Sequence, residues 1–217
     1  MQECIYKKVE KSKGINNAMG KIYIIMGKSA SGKDTVYKEL LSRKEIDFNT
    51  VVMYTTRPLR KGEKEGVEYY FVGEDKLKDL KEQGKVIEHR TYNTVQGKWH
   101  YFTADDGQID LGKNDYLMIG TLETYGQIRE HFGAGNVLPI YLEVEDGLRL
   151  QRALKREQGQ ENPMYSEVCR RYLADEKDFS EENLKIYGIK KRYNNNDAQL
   201  CAIEIIKDIR NCHCKPN

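Results

Sequence analysis

The sequence predicts an α/β protein, a parallel sheet flanked by helices and interrupted by a β-rich insertion. Three observations carry that expectation. Apolar, β-branched runs alternate with helix-like segments toward both ends of the chain, whereas the middle reads as hairpins. The first apolar run also passes through glycines and a lysine straight into a helical pattern, in "YIIMGKSASGKDTVYKELL" (23–41).

The elements follow in chain order. Residues 21–26 alternate little and are rich in β-branched side chains, which predicts a strand buried on both faces. Residues 33–43 read as a helix, and "TVVMYTT" (50–56) as a second strand. In "RPLRKGEKEGVEYYFV" (57–72), Gly62 and Gly66 mark turns, and Val67 to Val72 returns to an extended pattern. "EDKLKDLKEQG" predicts a short amphipathic helix stopped by Gly84. "KVIEHRTYNTVQGKWHYFT" (85–103) predicts two strands about a turn at Gln96–Gly97. "DYLMIG" (115–120) and "NVLPIYLEV" (136–144) are two more buried strands, separated by a helix from Leu122 to His131. Helices after Glu145 and after Met164 bracket the polar loop "KREQGQENP", and a last helix runs from about Asp197 to Ile209.

Bulk properties narrow the function classes. The chain has 217 residues, with Lys+Arg 36 against Asp+Glu 34, so no overall basic field points to nucleic acid or to a membrane surface. No apolar run approaches the roughly 20 residues of a membrane span. Residues 1–18 lack the apolar centre of a signal peptide and read as a polar, disordered extension, which makes the cytoplasm the expected compartment. Five cysteines form no disulfide framework. Cys212, His213 and Cys214 resemble half of a soft-metal site without its second half, so residues 211–217 read as a reduced tail.

Gly27-x4-Gly32-Lys33 has the spacing of a Walker A loop between a strand and a helix. Small residues there (Ser29, Ala30, Ser31) let successive backbone N–H groups turn inward around phosphate oxygens, with Lys28 beside them. Lys33 reaches the terminal phosphates. Where a hydroxyl usually follows the lysine the chain has Asp34, and Thr35 comes one later. Asp34 either favours the helix dipole or faces a metal ion as a hard oxygen ligand. Downstream, Arg57 and Arg60 stand near Tyr69: two guanidinium forks and a phenol make a second phosphate site, or else a charged hairpin of mixed sign.

"GKSASGK", "TTRPLRKGEKEGVEYYFV", "VIEHR", "YFT", "RALKR" and "CRRY" occur in an order that resembles the guanylate kinase family, in the P-loop nucleoside monophosphate kinase class, across residues 20–210. The resemblance implies a P-loop kinase core at 19–56 and 104–210, a nucleoside monophosphate-binding subdomain at 57–103 and a helical lid near 152–172. It implies that residues 27–35 hold ATP, and that Arg57, Arg60, Tyr69 and Tyr101 hold the phosphate of GMP. Glu88 would accept from guanine N1–H and N2–H₂, and Thr103 would touch the base. Arg57, with Arg152, Arg156 and Arg171 of the lid, would join Lys33 around the transferring phosphoryl, with Mg²⁺ as cofactor. Asn194 to Asp197 resemble the segment near the adenine of ATP.

Several positions depart from the family pattern. Asp34 replaces the hydroxyl, Ile119 and Thr121 stand where the family has Asp-x-Asp, and Met53 replaces a base-contacting serine. The hairpin at 91–103 and the lid are longer than usual. The expected reaction is phosphoryl transfer from ATP to GMP. A kinase of another nucleotide or of ribose 1,5-bisphosphate, and a non-catalytic interaction module, are the alternatives.

Overall fold

The computed structural model describes residues 20–60, 62–94 and 97–213. The expected extension at 1–18 lies outside the described residues, as do residues 214–217 and the side chains of Cys212 and His213. In chain order the elements are β1 (Ile22–Met26), α1 (Lys33–Ser42), β2 (Phe48–Thr50), β3 (Tyr54–Thr55), β4 (Tyr70–Phe71), α2 (Glu74–Glu82), β5 (Val86–Thr94) and β6 (Gly97–Ala104). They continue with β7 (Asp115–Ile119), α3 (Leu122–Phe132), β8 (Val137–Glu143), α4 (Asp146–Gln158), α5 (Tyr165–Asp178), α6 (Glu181–Ile186), β9 (Arg192–Asn194) and α7 (Ala198–His213).

Two sheets result. Five strands pair in parallel in the order β2-β7-β1-β8-β9. Every residue of β1 is buried, because helices cover both of its faces. Ile22, Ile24 and Met26 pack toward Leu122, Tyr125 and Ile128 of α3 and toward Phe179 and Leu184. Tyr23 and Ile25 face Val36 and Leu40 of α1 and Cys201, Ala202 and Ile205 of α7. Alternate residues of one strand thus anchor two cores.

The second sheet, in the order β4-β3-β6-β5, has its own small core. Leu77 and Leu80 of α2 pack there on Phe102 and Ala104 of β6. The chain passes between the sheets at residues 51–53 and again at 105–114. The side-chain amide of Gln108 clasps these two crossings: Val52 N–H donates to its Oε1 at 2.9 Å, and its Nε2 donates to the Val52 carbonyl at 3.2 Å. His89 N–H of β5 reaches Gln127 Oε1 of α3 at 3.1 Å, a further tie between the sheets.

The structure corrects the expected elements in four places. The run "TVVMYTT" is not one strand. Thr50 ends β2 in the first sheet, Tyr54 begins β3 in the second, and Val51 to Met53 lie between them. Residues 66–68 form a turn rather than extended chain; Tyr69 makes a single bridge to Glu65, and Tyr70–Phe71 pair with Tyr54–Thr55. Strand β9 and helix α6 were not expected; Ser180 caps α6 by accepting from Asn183 N–H at 3.3 Å. Helix α7 continues past the expected end at Ile209 to His213.

Candidate active site

The central strand β1 ends at Met26, and the chain turns at its carboxyl end, where parallel α/β sheets place their ligands. Glycine is required at both loop corners. A Cβ on Gly27 would lie 2.6 Å from the Leu142 carbonyl oxygen. Gly32 caps α1 at φ 84°, and its Cβ would meet Asn195 Nδ2 at 2.5 Å. Ala30, at φ 60°, is the one non-glycine among the described residues with positive φ, so the loop carries strain at its crest.

Lys33 begins α1, and its ammonium lies across the loop, donating to the Gly27 carbonyl at 2.7 Å and the Lys28 carbonyl at 3.1 Å. Burial lowers its pKa, against the opposing carboxylates of Asp175 and Asp34. A cation held only by two backbone oxygens of the loop can exchange them for an anion of several charges. Asp34 and Thr35 follow on the first turn of α1, both exposed.

Helices α4 and α5 close on this loop through a charge cluster. Arg149, 2% exposed, donates to Asp146 Oδ1 at 2.6 Å, to Glu176 Oε1 at 2.9 Å and to the Ser29 carbonyl at 3.2 Å. Lys28 also reaches Glu176, at 2.7 Å, and Ser29 N–H donates to Asp175 Oδ2 at 2.7 Å. Arg152 reaches the carbonyls of Asn195 and Asn196, while Asn195 Nδ2 donates to the Ser31 carbonyl at 2.7 Å. The segment at 195–196 therefore links the loop to α4. Arg156 is exposed, its charge acting on Lys33. Arg171 is also exposed and is engaged with Glu167 at 2.8 Å. Sequence reasoning missed Arg149; its one signal is the i,i+3 spacing from both Asp146 and Arg152.

The second sheet holds the other expected residues. Arg57, 4% exposed, makes a two-pronged pair with Glu63 at 2.6 and 2.7 Å and stacks over Tyr69 and Phe71. Its hydrogen bond draws the Glu63 carboxyl down to about 2. Tyr69 meets Tyr101 edge to face at 5.5 Å, which puts two phenols beside the arginine. Arg60 is exposed and lies over Trp99. The structure thus brings Arg57, Tyr69 and Tyr101 together, with Arg60 at the rim.

Glu88 is 1% exposed on β5. It accepts from Thr103 Oγ1 at 3.0 Å and from Arg90 at 3.0 and 3.4 Å. Arg90 is the second residue that sequence reasoning missed; two residues from Glu88 on one strand, it shares a face with it. Thr121 caps α3 by accepting from Thr124 N–H at 3.2 Å, so this position serves the helix where the family pattern has an aspartate.

A lysine-bearing Gly-x4-Gly-Lys loop at the end of a parallel sheet, in a chain whose second sheet carries buried arginines, defines a P-loop protein of the nucleoside monophosphate kinase class. The family model described as guanylate kinase matches residues 19–128, just over half of the chain. A guanylate kinase of Alkalilimnicola ehrlichii is 31% identical over 159 residues, 72% of this chain and 72% of its own length. The chain belongs to the guanylate kinase family. Guanylate kinases of Anaplasma phagocytophilum and Legionella pneumophila (strain Lens) are 32% and 38% identical, over alignments that span 61% and 43% of those relatives. A crystal structure of guanylate kinase from Anaplasma phagocytophilum superposes with a TM-score of 0.62 at 24% identity, covering 91% of this chain and 88% of that one; this likeness is one of fold.

Proposed function

We propose that the chain transfers the γ-phosphoryl group of ATP to the phosphate of GMP, giving ADP and GDP, with Mg²⁺. The observation that carries this reading is the pairing of an intact lysine-bearing loop with a buried carboxylate, Glu88, on the same sheet as Tyr101, which meets Tyr69 and through it Arg57. A carboxylate accepts from the two donors of guanine and meets no such pair on adenine. Arg57 and the two phenols supply donors for a phosphate, and Arg60 adds a charge at the rim.

In this mechanism residues 27–35 cradle the triphosphate of ATP. Lys33 exchanges its two carbonyl partners for phosphate oxygens and follows the charge as it moves from donor to acceptor. The acceptor phosphate attacks in line and no covalent protein intermediate forms. Arg152, beside the loop, and Arg156, whose charge already reaches Lys33, would offset the charge on the transferring oxygens once the lid closes. Arg171 would have to leave Glu167 to join them.

The donor set at the head of α1 fits Mg²⁺. The Asp34 carboxylate and Thr35 hydroxyl are hard oxygens, exposed beside Lys33, and would hold the ion largely through its waters. When bound, the ion neutralises charge across the phosphate oxygens.

A panel assay of ADP release tests the reading, with GMP, AMP, other mononucleotides and ribose 1,5-bisphosphate as acceptors. GMP is expected to give the highest kcat/KM, and Lys33→Ala to lower kcat by about a hundredfold or more in a folded protein. Preference for ribose 1,5-bisphosphate, or full turnover in Lys33→Ala, would refute it.

A further inference from the structure

We propose that Arg90 is a specificity-determining residue that donates to the O6 atom of guanine, forming with Glu88 one continuous base-reading strip. This rests on the guanylate reading above and assigns to Arg90 a contact that Glu88 cannot make. The Watson–Crick edge of guanine presents an acceptor, O6, followed by two donors, N1–H and N2–H₂. Glu88 is acceptor-only and can serve the donors. The O6 atom then needs a donor beside that carboxylate.

The neighbourhood of Glu88 leaves few groups that can supply it. Thr103 spends its hydroxyl proton on Glu88 Oε1 at 3.0 Å. Met53 packs at the same place and carries no donor. Arg90 touches both Glu88 and Met53: its Nε donates to Glu88 Oε2 at 3.0 Å and its Nη2 to Glu88 Oε1 at 3.4 Å. Nη2 also points at the Met53 sulfur, 3.7 Å away. The guanidinium also bonds Tyr92, but a thioether is a weak acceptor for a charged N–H, so the one N–H of Nη2 that faces Met53 is poorly satisfied for a group only 9% exposed. A carbonyl oxygen arriving beside Met53 would satisfy it. Tyr101, whose ring lies 6.0 Å from the guanidinium, leads from this point to Tyr69 and Arg57. The base strip and the phosphate cluster are therefore contiguous.

The geometry also explains why a buried ion pair sits here. A buried pair is a poor source of stability compared with apolar packing, so its presence at a candidate recognition site points to function. Donor, acceptor, acceptor is complementary to guanine in order as well as in kind. Adenine would set its N6–H₂ against Arg90 and its N1 lone pair against Glu88, two mismatches side by side.

The test compares GMP with 6-thioguanosine monophosphate, which keeps N1–H and N2–H₂ but offers a weak sulfur acceptor at position 6. With the full chain, wild type is expected to favour GMP in kcat/KM by about tenfold or more, as for a lost charged hydrogen bond. In Arg90→Met the ratio should fall close to one. The bulk of sulfur is the same for both proteins, so the change in ratio isolates the contact. If Arg90→Met lowers both substrates in proportion, Arg90 acts only by positioning Glu88, and the proposal is overturned. Equal use of the two nucleotides by wild type overturns it as well. Removing Arg90 alone strands a buried carboxylate, so Glu88→Gln/Arg90→Met serves as the second variant, and its ratio should also approach one. Wild type that fails to phosphorylate GMP at all would overturn the kinase reading and this inference together; the other outcomes overturn the inference alone.

Discussion

Substituting Gly32 by alanine should break two things at once, and they can be separated. The backbone there sits at φ 84°, where an L side chain costs about 1–2 kcal/mol. The new Cβ would also lie 2.5 Å from Asn195 Nδ2, about 1 Å inside ordinary contact, and so would push the amide off the Ser31 carbonyl. Losing that buried hydrogen bond costs about 1–3 kcal/mol more. The sum, about 2–5 kcal/mol, corresponds to a drop in Tm of roughly 4–20 °C for a chain of this size. Asn195→Ala removes the obstruction beforehand. In that background only the backbone cost of Gly32→Ala remains, so the double-mutant cycle in urea should show coupling of about 1–3 kcal/mol, the two changes together costing less than their sum. Additivity within about 0.5 kcal/mol would refute the contact as the source of the effect.

Two further outcomes follow from other parts of the structure. Asp34→Asn should raise the Mg²⁺ requirement and lower kcat while Tm stays almost unchanged, measured by magnesium titration and by thermal melting; an unchanged magnesium dependence would leave Asp34 as a helix-dipole residue worth about 0.3–1 kcal/mol. His89 has its pKa lowered by burial and by the charges of Lys81, His100 and Arg90. The folded protein therefore binds fewer protons than the unfolded chain just below the ordinary histidine value, and its stability should fall as pH drops through about 6.5. His89→Gln should flatten that part of the Tm profile between about pH 7.5 and 5.5, and an identical slope in both proteins would exclude His89 as its origin.

The features legible in the sequence are those that chain-local chemistry decides. Ile22 to Met26 could be read as a doubly buried strand because covered parallel strands need continuous apolar runs. Gly32 and Lys33 announced themselves by spacing. The run at 50–56 misled because its apolar character is uniform, whereas its backbone bonds are not: Val52 pairs with the Gln108 side chain, a residue 56 positions away. Strand β9 has only three residues and exists because β8 offers an edge to them. Charged residues were the hardest to place. Nothing local in the sequence marks Arg90, Arg149 or Glu63 for burial, and each is fixed by a partner that the fold or a turn brings back to it. Ser180, by contrast, did carry a capping signal, with acidic residues in the first turn of α6 behind it.

The clasp of Gln108 on Val52 bears on how many ways the second sheet can travel. Two separate crossings would act as two loose pivots and allow it to twist, tilt or slide. Riveted to each other by one amide, they share a common axle and cannot pivot independently while both bonds last. A swing about that axle would leave the ladder of β5 and β6 in register, so Glu88 and Tyr101, which both lie on it, would travel together. The bond from His89 to Gln127 is among the ties that such a swing would strain or release.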